Sequence, residues 1–145
     1  GGHAPDPTYE QVCAHASGHA ETVRVLFDTA RTNAVDLIRL FFEVHDPTQV
    51  GGQGNDIGDQ YRSVIWTTTP AQFEDALALR DAYQKVLTER GFGPIQTRIA
   101  PAPAPNSDAR FWLAEEYHQR YLFKNPGGYE CHARTGIACP ALRDK

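Results

Sequence analysis

Hydrophobic and polar positions change period several times along the chain, and each change predicts an element. From Thr22 to Asp28 the pattern alternates, with Val23, Val25 and Phe27 on one face, which predicts a strand. Over 34–44, Val35, Ile38, Phe41 and Phe42 recur at helical spacing, with Asn33 as N-cap and His45-Asp46-Pro47 as stop. Residues 61–67 predict a second strand. A longer helix runs from Ala71 to Arg90, with Thr69 as cap, Pro70 as first helical residue and Gln72 as capping-box partner. Phe73, Leu77, Tyr83, Val86 and Leu87 form its apolar face, and Gly91 stands where a helix-ending glycine belongs. Residues 95–99 predict a third strand, and 114–123 a short helix with Tyr117, Tyr121 and Leu122 on one side.

The stretches between are punctuation. Residues 1–20 are turn-rich, with Pro5, Asp6 and Pro7 biasing the backbone away from helix. Residues 47–60 carry Gly51, Gly52, Gly54 and Gly58 and read as one long polar loop. Residues 100–105 alternate Ala and Pro and read as a semi-rigid spacer, and 124–145 reads as a coil tail. The order β-α-β-α-β predicts one layered α/β or α+β domain over 1–145.

Composition narrows the function classes. A length of 145 residues with 41% hydrophobic and 22% charged positions suits one globular domain. No run of eighteen apolar residues is present, so no membrane span is expected. A net charge of −4 argues against a nucleic-acid surface. Three cysteines are too few, and odd in number, for a disulfide scaffold, which points to a reducing compartment, read as cytoplasmic, or to thiol chemistry. The chain opens on Gly1 and shows no signal peptide.

Several side chains could carry chemistry. Cys131 and Cys139 are separated by seven residues, which is not a zinc-knuckle or thioredoxin-type spacing. They could exchange with a third thiol or be ordinary surface cysteines. Cys13, His15 and His19 are metal-ligand types, but no convincing fourth ligand follows, so no metal is expected. Glu21 at a strand edge gains interest only if desolvation keeps its proton near neutral pH. Tyr9 and Tyr61 could be packing residues, and Asp56, in Asn55-Asp56-Ile57-Gly58, a turn former.

A longer pattern unites these residues. Pro7-Thr8-Tyr9-Glu10-x-Val12-Cys13, Gly18-His19-Ala20-Glu21, His45-Asp46-Pro47-Thr48, Gln53-Gly54-Asn55-Asp56-x-Gly58-x-Gln60-Tyr61-Arg62-Ser63, Glu115-x-Tyr117-His118-Gln119-x-Tyr121-Leu122 and Lys124-Asn125-Pro126 follow in one order. The chain resembles the A-type peptide methionine sulfoxide reductases, which act on the S epimer. The resemblance implies a two-layer, ferredoxin-like sandwich lacking its N-terminal strand and helix. It implies reduction of methionine S-sulfoxide, free or in proteins, by a monomer with thioredoxin as reductant and no cofactor.

By matching motifs, Glu21 is the implied acid, Tyr9 and Tyr61 would hold the sulfoxide oxygen, and Asp56 would shape the site. Cys131 and Cys139 match the two recycling cysteines. The Gly-Cys-Phe-Trp motif that carries the family's nucleophile is absent from the sequence. Cys13 matches a non-catalytic position, and Phe111-Trp112 does not replace the missing aromatic pair. Gly52 and Asp59 stand where Arg and Thr are usual, and Glu130 is inserted before Cys131. The chain is therefore expected to be inactive alone, with a truncated binder of oxidised methionine as the alternative.

Overall fold

The computed structural model describes residues 1–131 and 133–142. Its packed part is one β-α-β unit with a helix laid over it. Strand β3 (Val64–Thr67) pairs in parallel with β4 (Arg98–Pro101), Val64 opposite Arg98 and Thr67 opposite Pro101. The crossover is helix α3 (Pro70–Glu89), and α2 (Ala34–Glu43) packs against α3. Both helices start where the sequence places them. The Asn33 side chain accepts from Asp36 N, and Thr69 Oγ1 accepts from Gln72 N. Gln72 Oε1 reaches back to Thr68 N at 2.8 Å, one residue beyond the expected capping-box partner.

Ile38 and Phe42 of α2 meet Ala76, Leu79, Tyr83 and Leu87 of α3 in the core. Phe73 and Leu77 stay half-buried outside it, because the buried stripe of α3 runs through Ala76, Leu79, Tyr83 and Leu87 instead. Below the helices, His45 clamps three elements. Its Nδ1 bonds Phe41 O at 2.7 Å and its Nε2 bonds Ser63 Oγ at 2.7 Å. Ser63 Oγ in turn bonds Thr97 Oγ1 at 2.7 Å. A chain of buried polar groups in which each member has a partner fixes the end of α2 against the starts of β3 and β4.

Several expectations are corrected. The turn-rich start contains a five-residue helix, α1 (Tyr9–Cys13). The loop 47–60 holds a small antiparallel hairpin, β1 (Gly52–Gln53) with β2 (Asp56–Ile57), followed by a 3-10 turn at Asp59–Tyr61. That turn takes Tyr61 out of the second strand, which begins at Val64. The third strand lies at Arg98–Pro101 rather than 95–99, so the Ala-Pro spacer starts inside it; Pro101 sits at its very end. Residues 116–120 form turns, 114 and 115 carry no regular structure, and the helix there is only α4 (Tyr121–Lys124).

Residues 22–28 form no ladder with any described residue, although the backbone carries no helix either. Val23 and Leu26 are 86% and 87% exposed, so a strand pattern alone does not make a strand without a partner edge. The tail contains no helix or strand over its described residues past α4, yet it is not loose. Tyr83 OH donates to Ile137 O at 2.7 Å, and Cys139 enters the core beside α2 and α3.

Candidate active site

The site is assembled from turns and short elements, so side-chain bonds to backbone do the positioning. Helix α1 begins with a reciprocal cap: Thr8 Oγ1 accepts from Gln11 N, and Thr8 N donates to Gln11 Oε1 at 2.9 Å. A helix so short is not stable by propensity alone. Glu115 adds an anchor from far along the chain, its Oε1 accepting the Tyr9 N–H at 3.0 Å. One helical turn separates Tyr9 from Cys13, which puts both side chains on one face. The Tyr9 phenol is pushed up to about 12, first by the Cys13 side chain, then by crowding and by the neighbouring Tyr61 and Glu21.

Glu21 and Tyr61 are brought together by one backbone bond, Glu21 N to Gln60 O at 2.8 Å. The 3-10 turn that carries Gln60 and Tyr61 follows Gly58, whose φ of 147° is open to glycine and strained for other residues. Glu21 stands on an open face that solvent reaches, but enough protein crowds its carboxyl to raise its pKa above the ordinary 4.5. Desolvation is the larger cause; the charge of Asp56 adds to it and that of His118 opposes it. Tyr61 is also raised, by burial first and then by Glu21, Cys13 and Asp56. Of the four residues expected at the site, Glu21 and Tyr61 thus lie within electrostatic reach of each other and of both Tyr9 and Asp56.

Asp56 sits on β2 of the hairpin, and its carboxylate accepts from Tyr129 OH at 3.1 Å. Beside it, Cys131 Sγ lies 3.5 Å from Gln53 O. Gly54, at φ +57°, lets the tail approach: a Cβ there would stand 2.9 Å from Ala133 Cβ and 3.2 Å from Cys131 Sγ. Gln49 holds the hairpin tip, accepting from Gly54 N at 2.6 Å and donating to Gly54 O at 3.1 Å. Cys131 is therefore stationed at the hairpin that carries Asp56.

Cys139 is elsewhere. It is 1% exposed in the core, and burial pushes its thiol up to about 11. Glu43 Oε1 accepts its N–H at 2.8 Å, and the Arg39 guanidinium donates to its carbonyl at 3.1 and 3.2 Å. All three cysteines are free, and the two tail thiols are held by different parts of the molecule. The metal-ligand types near the start also part ways. His15 Nδ1 pairs with Asp59 at 2.8 Å, and His19 Nε2 bonds Ala4 O at 2.8 Å, while Cys13 faces Tyr9.

The arrangement sets two phenols and a carboxyl of raised pKa within electrostatic reach of one another, donor types that suit an acceptor oxygen to be held and protonated. Sequence reasoning missed Tyr129, Gln60 and the anchoring role of Glu115. Glu115 was visible inside a motif, three residues before His118, but a motif does not say which backbone N–H a carboxylate will meet. No helix among the described residues is long and apolar enough to cross a membrane.

The family model described as peptide methionine sulfoxide reductase matches residues 1–144. Peptide methionine sulfoxide reductase MsrA of Streptomyces griseus is 51% identical over 140 residues, covering 97% of this chain and 61% of the relative. The human mitochondrial peptide methionine sulfoxide reductase is 48% identical, covering 97% of this chain and 57% of the relative. The chain spans about three fifths of the length of the curated relatives it matches. Methionine sulfoxide reductase A of Corynebacterium diphtheriae superposes with a TM-score of 0.83 at 40% identity, over 99% of this chain and 68% of that one. Reduced Mxr1 of Saccharomyces cerevisiae gives 0.80 at 31% identity, over 92% and 72%.

Proposed function

Because the chain belongs to the peptide methionine sulfoxide reductase family, we propose that the whole protein reduces methionine S-sulfoxide, free or in proteins, to methionine. The observation that carries this reading is Glu21: a carboxyl with its pKa raised by desolvation, placed among the phenols of Tyr9 and Tyr61. In the proposed reaction a cysteine thiolate attacks the sulfoxide sulfur. Glu21 delivers a proton to the oxygen, and the two phenols hold that oxygen as charge develops on it. The oxygen passes to the cysteine, which becomes a sulfenic acid, and methionine leaves as the thioether. A second thiol then condenses with the sulfenic acid, releasing water and forming a disulfide, and a dithiol reductant, thioredoxin, returns both sulfurs to thiols.

The attacking thiolate is proposed to come from outside residues 1–145. Cys139 is buried with its thiol pushed up to about 11, and Cys131 is stationed at the hairpin as a recycling thiol. Asp56 orients polar groups, with Tyr129 as partner. The cycle works in a reducing compartment, and the cytoplasm is the proposed location for a monomeric enzyme with three free thiols. A second reading rests on Cys13, which shares a helix face with Tyr9 and could itself be the nucleophile. The test is single-turnover formation of methionine from separated S and R epimers by the complete protein, by the chain 1–145, and by Cys13→Ser. Consumption of the S epimer by the complete protein, none by 1–145 and no change in Cys13→Ser is expected. Turnover by 1–145 that Cys13→Ser abolishes would move the nucleophile to Cys13, and binding without turnover in every form would leave only a sulfoxide-binding module.

A further inference from the structure

Three stretches of backbone meet near Glu21, and no strand ladder joins them among the described residues. The start of the chain is tied to the stretch before Glu21 by His3 N to Ser17 O at 2.9 Å and by His19 Nε2 to Ala4 O at 2.8 Å. That stretch is tied to the 3-10 turn by Glu21 N to Gln60 O at 2.8 Å. Arg62, which directly follows the turn, bonds to all three. Its Nη1 donates to Asp59 O at 2.8 Å. Its Nη2 donates to Gly18 O at 3.0 Å and to Gly1 O at 3.1 Å.

Two features set this guanidinium apart from a surface contact. It is half-buried, and that burial works against its charge, yet none of the ion pairs among the described residues includes it. The Asp59 carboxylate pairs with His15 instead, at 2.8 Å. The charge of Arg62 is spent on backbone carbonyls, and charge-assisted bonds of this kind are about twice as strong as neutral ones. The second feature is where the bonds fall. Gly18 O and Glu21 N both reach 60–62, so the stretch 18–21 is held at each end. One bond would let it pivot, whereas two fix the direction in which the Glu21 side chain leaves it. Gly18 has a φ of +68°, and a Cβ there would stand 2.7 Å from His3 Nδ1, so glycine suits the point where the stretch bends under Arg62.

We propose that Arg62 is a positioning residue of this site: its planar guanidinium pins the backbone before Glu21 to the turn that presents Tyr61, and so sets how carboxyl and phenol face one reacting oxygen. The proposal rests on the reading of Glu21 as proton donor and Tyr61 as oxygen holder. Arg62 acts on both through their backbones alone. Arginine suits the task better than lysine, because its donors are fixed in one plane and can meet several carbonyls at once, while an ammonium is a point charge on a flexible stem. Position matters because a misplacement of about 1 Å can lower a rate by ~10²-fold.

The test compares the complete wild-type protein with Arg62→Lys, which keeps the charge and loses the fork. Single-turnover formation of methionine from the S epimer should fall by ~10-fold or more, while the half-saturating sulfoxide concentration moves less than about twofold. Hydrogen exchange at the Glu21 amide should quicken by ~10-fold or more, while the amides of α3 keep their wild-type rates. A role in stability alone would quicken both sets of amides together. That outcome overturns the proposal, as does an unmoved Glu21 amide or a single-turnover rate within about twofold of wild type. Should Arg62→Lys fail to fold, the wild-type protein decides. Its Arg62 Nη groups should give separate, slowly rotating nitrogen NMR signals coupled across hydrogen bonds to the Gly18 and Asp59 carbonyl carbons. One averaged signal without those couplings overturns the proposal. If the complete wild-type protein does not consume the S epimer, the functional reading fails on its own, and the amide exchange still decides whether Arg62 clamps 18–21.

Discussion

The half of the molecule built on α2, α3, β3 and β4 and the half that holds Glu21 solve positioning in different ways. The first is held by regular backbone ladders and an apolar cluster in which Phe42, Leu79, Tyr83 and Leu87 are fully buried. The second has a five-residue helix, two-residue strands and turns, and its residues are tied by single bonds such as Glu21 N to Gln60 O and Tyr9 N to Glu115. The tail links the two halves, leaving Cys131 at the hairpin and Cys139 in the core. The difference teaches that stability and chemistry are separately housed here. Core side chains are shut off from solvent, while Tyr9 and Glu21 keep solvent access.

That contrast is breakable, most sharply at Glu21. Glu21→Gln in the complete protein keeps a hydrogen-bond donor but cannot deliver a proton. Single-turnover methionine formation should slow by ~10²–10⁴-fold with substrate binding intact. Tyr9→Phe and Tyr61→Phe should each cost less and together cost more than either. A wild-type rate in Glu21→Gln near neutral pH would assign the proton to another donor.

In the core the expected effect is on folding. Phe42→Ala or Leu79→Ala should lose about 3–5 kcal/mol by urea unfolding, from lost transfer energy and the cavity left behind. Tyr61→Phe should change stability by less than about 1 kcal/mol. Equal losses at both places would mean that the site is as tightly packed as the core.

The tail thiols sharpen the comparison further. With its thiol pushed from the ordinary 9.0 up to about 11, buried Cys139 should react with a disulfide reagent at pH 8 on the order of 10²-fold more slowly than an ordinary thiol, and more slowly than half-buried Cys131, because the thiolate is the reacting form. Arg39→Ala or Glu43→Gln should speed Cys139 alone, since both residues hold its backbone in the core. Equal rates for the two thiols in the wild-type chain would show that the tail leaves the core readily.

The smallest effects are in the pH dependence of stability, where the two halves have opposite signs. Burial lowers the pKa of His45 below the ordinary 6.5. The unfolded chain then binds the proton more readily, and stability falls as pH drops from the ordinary imidazole range toward the folded value. Glu21 is raised above 4.5, so the folded state resists its ionisation and stability falls as pH rises from 4.5 through the folded value. Thermal melts across pH should show His45→Asn flattening the acid side and Glu21→Gln gaining on the wild type above pH 4.5. Parallel curves for Glu21→Gln and wild type would remove the desolvated carboxyl from the picture.

Sequence by itself determined the parts of this protein whose causes are local. Helices α2 and α3 were legible because their caps Asn33 and Thr69 and their apolar spacing act within a few residues. Tyr9, Glu21, Asp56 and Tyr61 were nameable as candidates from motif order, and the structure brings Glu21 and Tyr61 within reach of both Tyr9 and Asp56. Tertiary structure alone decided the rest. Residues 22–28 have a strand's alternation, but a strand exists only where a second edge supplies its hydrogen bonds. Residues 114–123 have a helix's apolar spacing, yet Glu115 gives its carboxylate to Tyr9 and His118, and the helix begins only at Tyr121. The acidity of Glu21 and the separation of Cys131 from Cys139 depend on which groups crowd them from distant parts of the chain. Desolvation and through-space charge are properties of assembled surroundings, and no local pattern of residues encodes them.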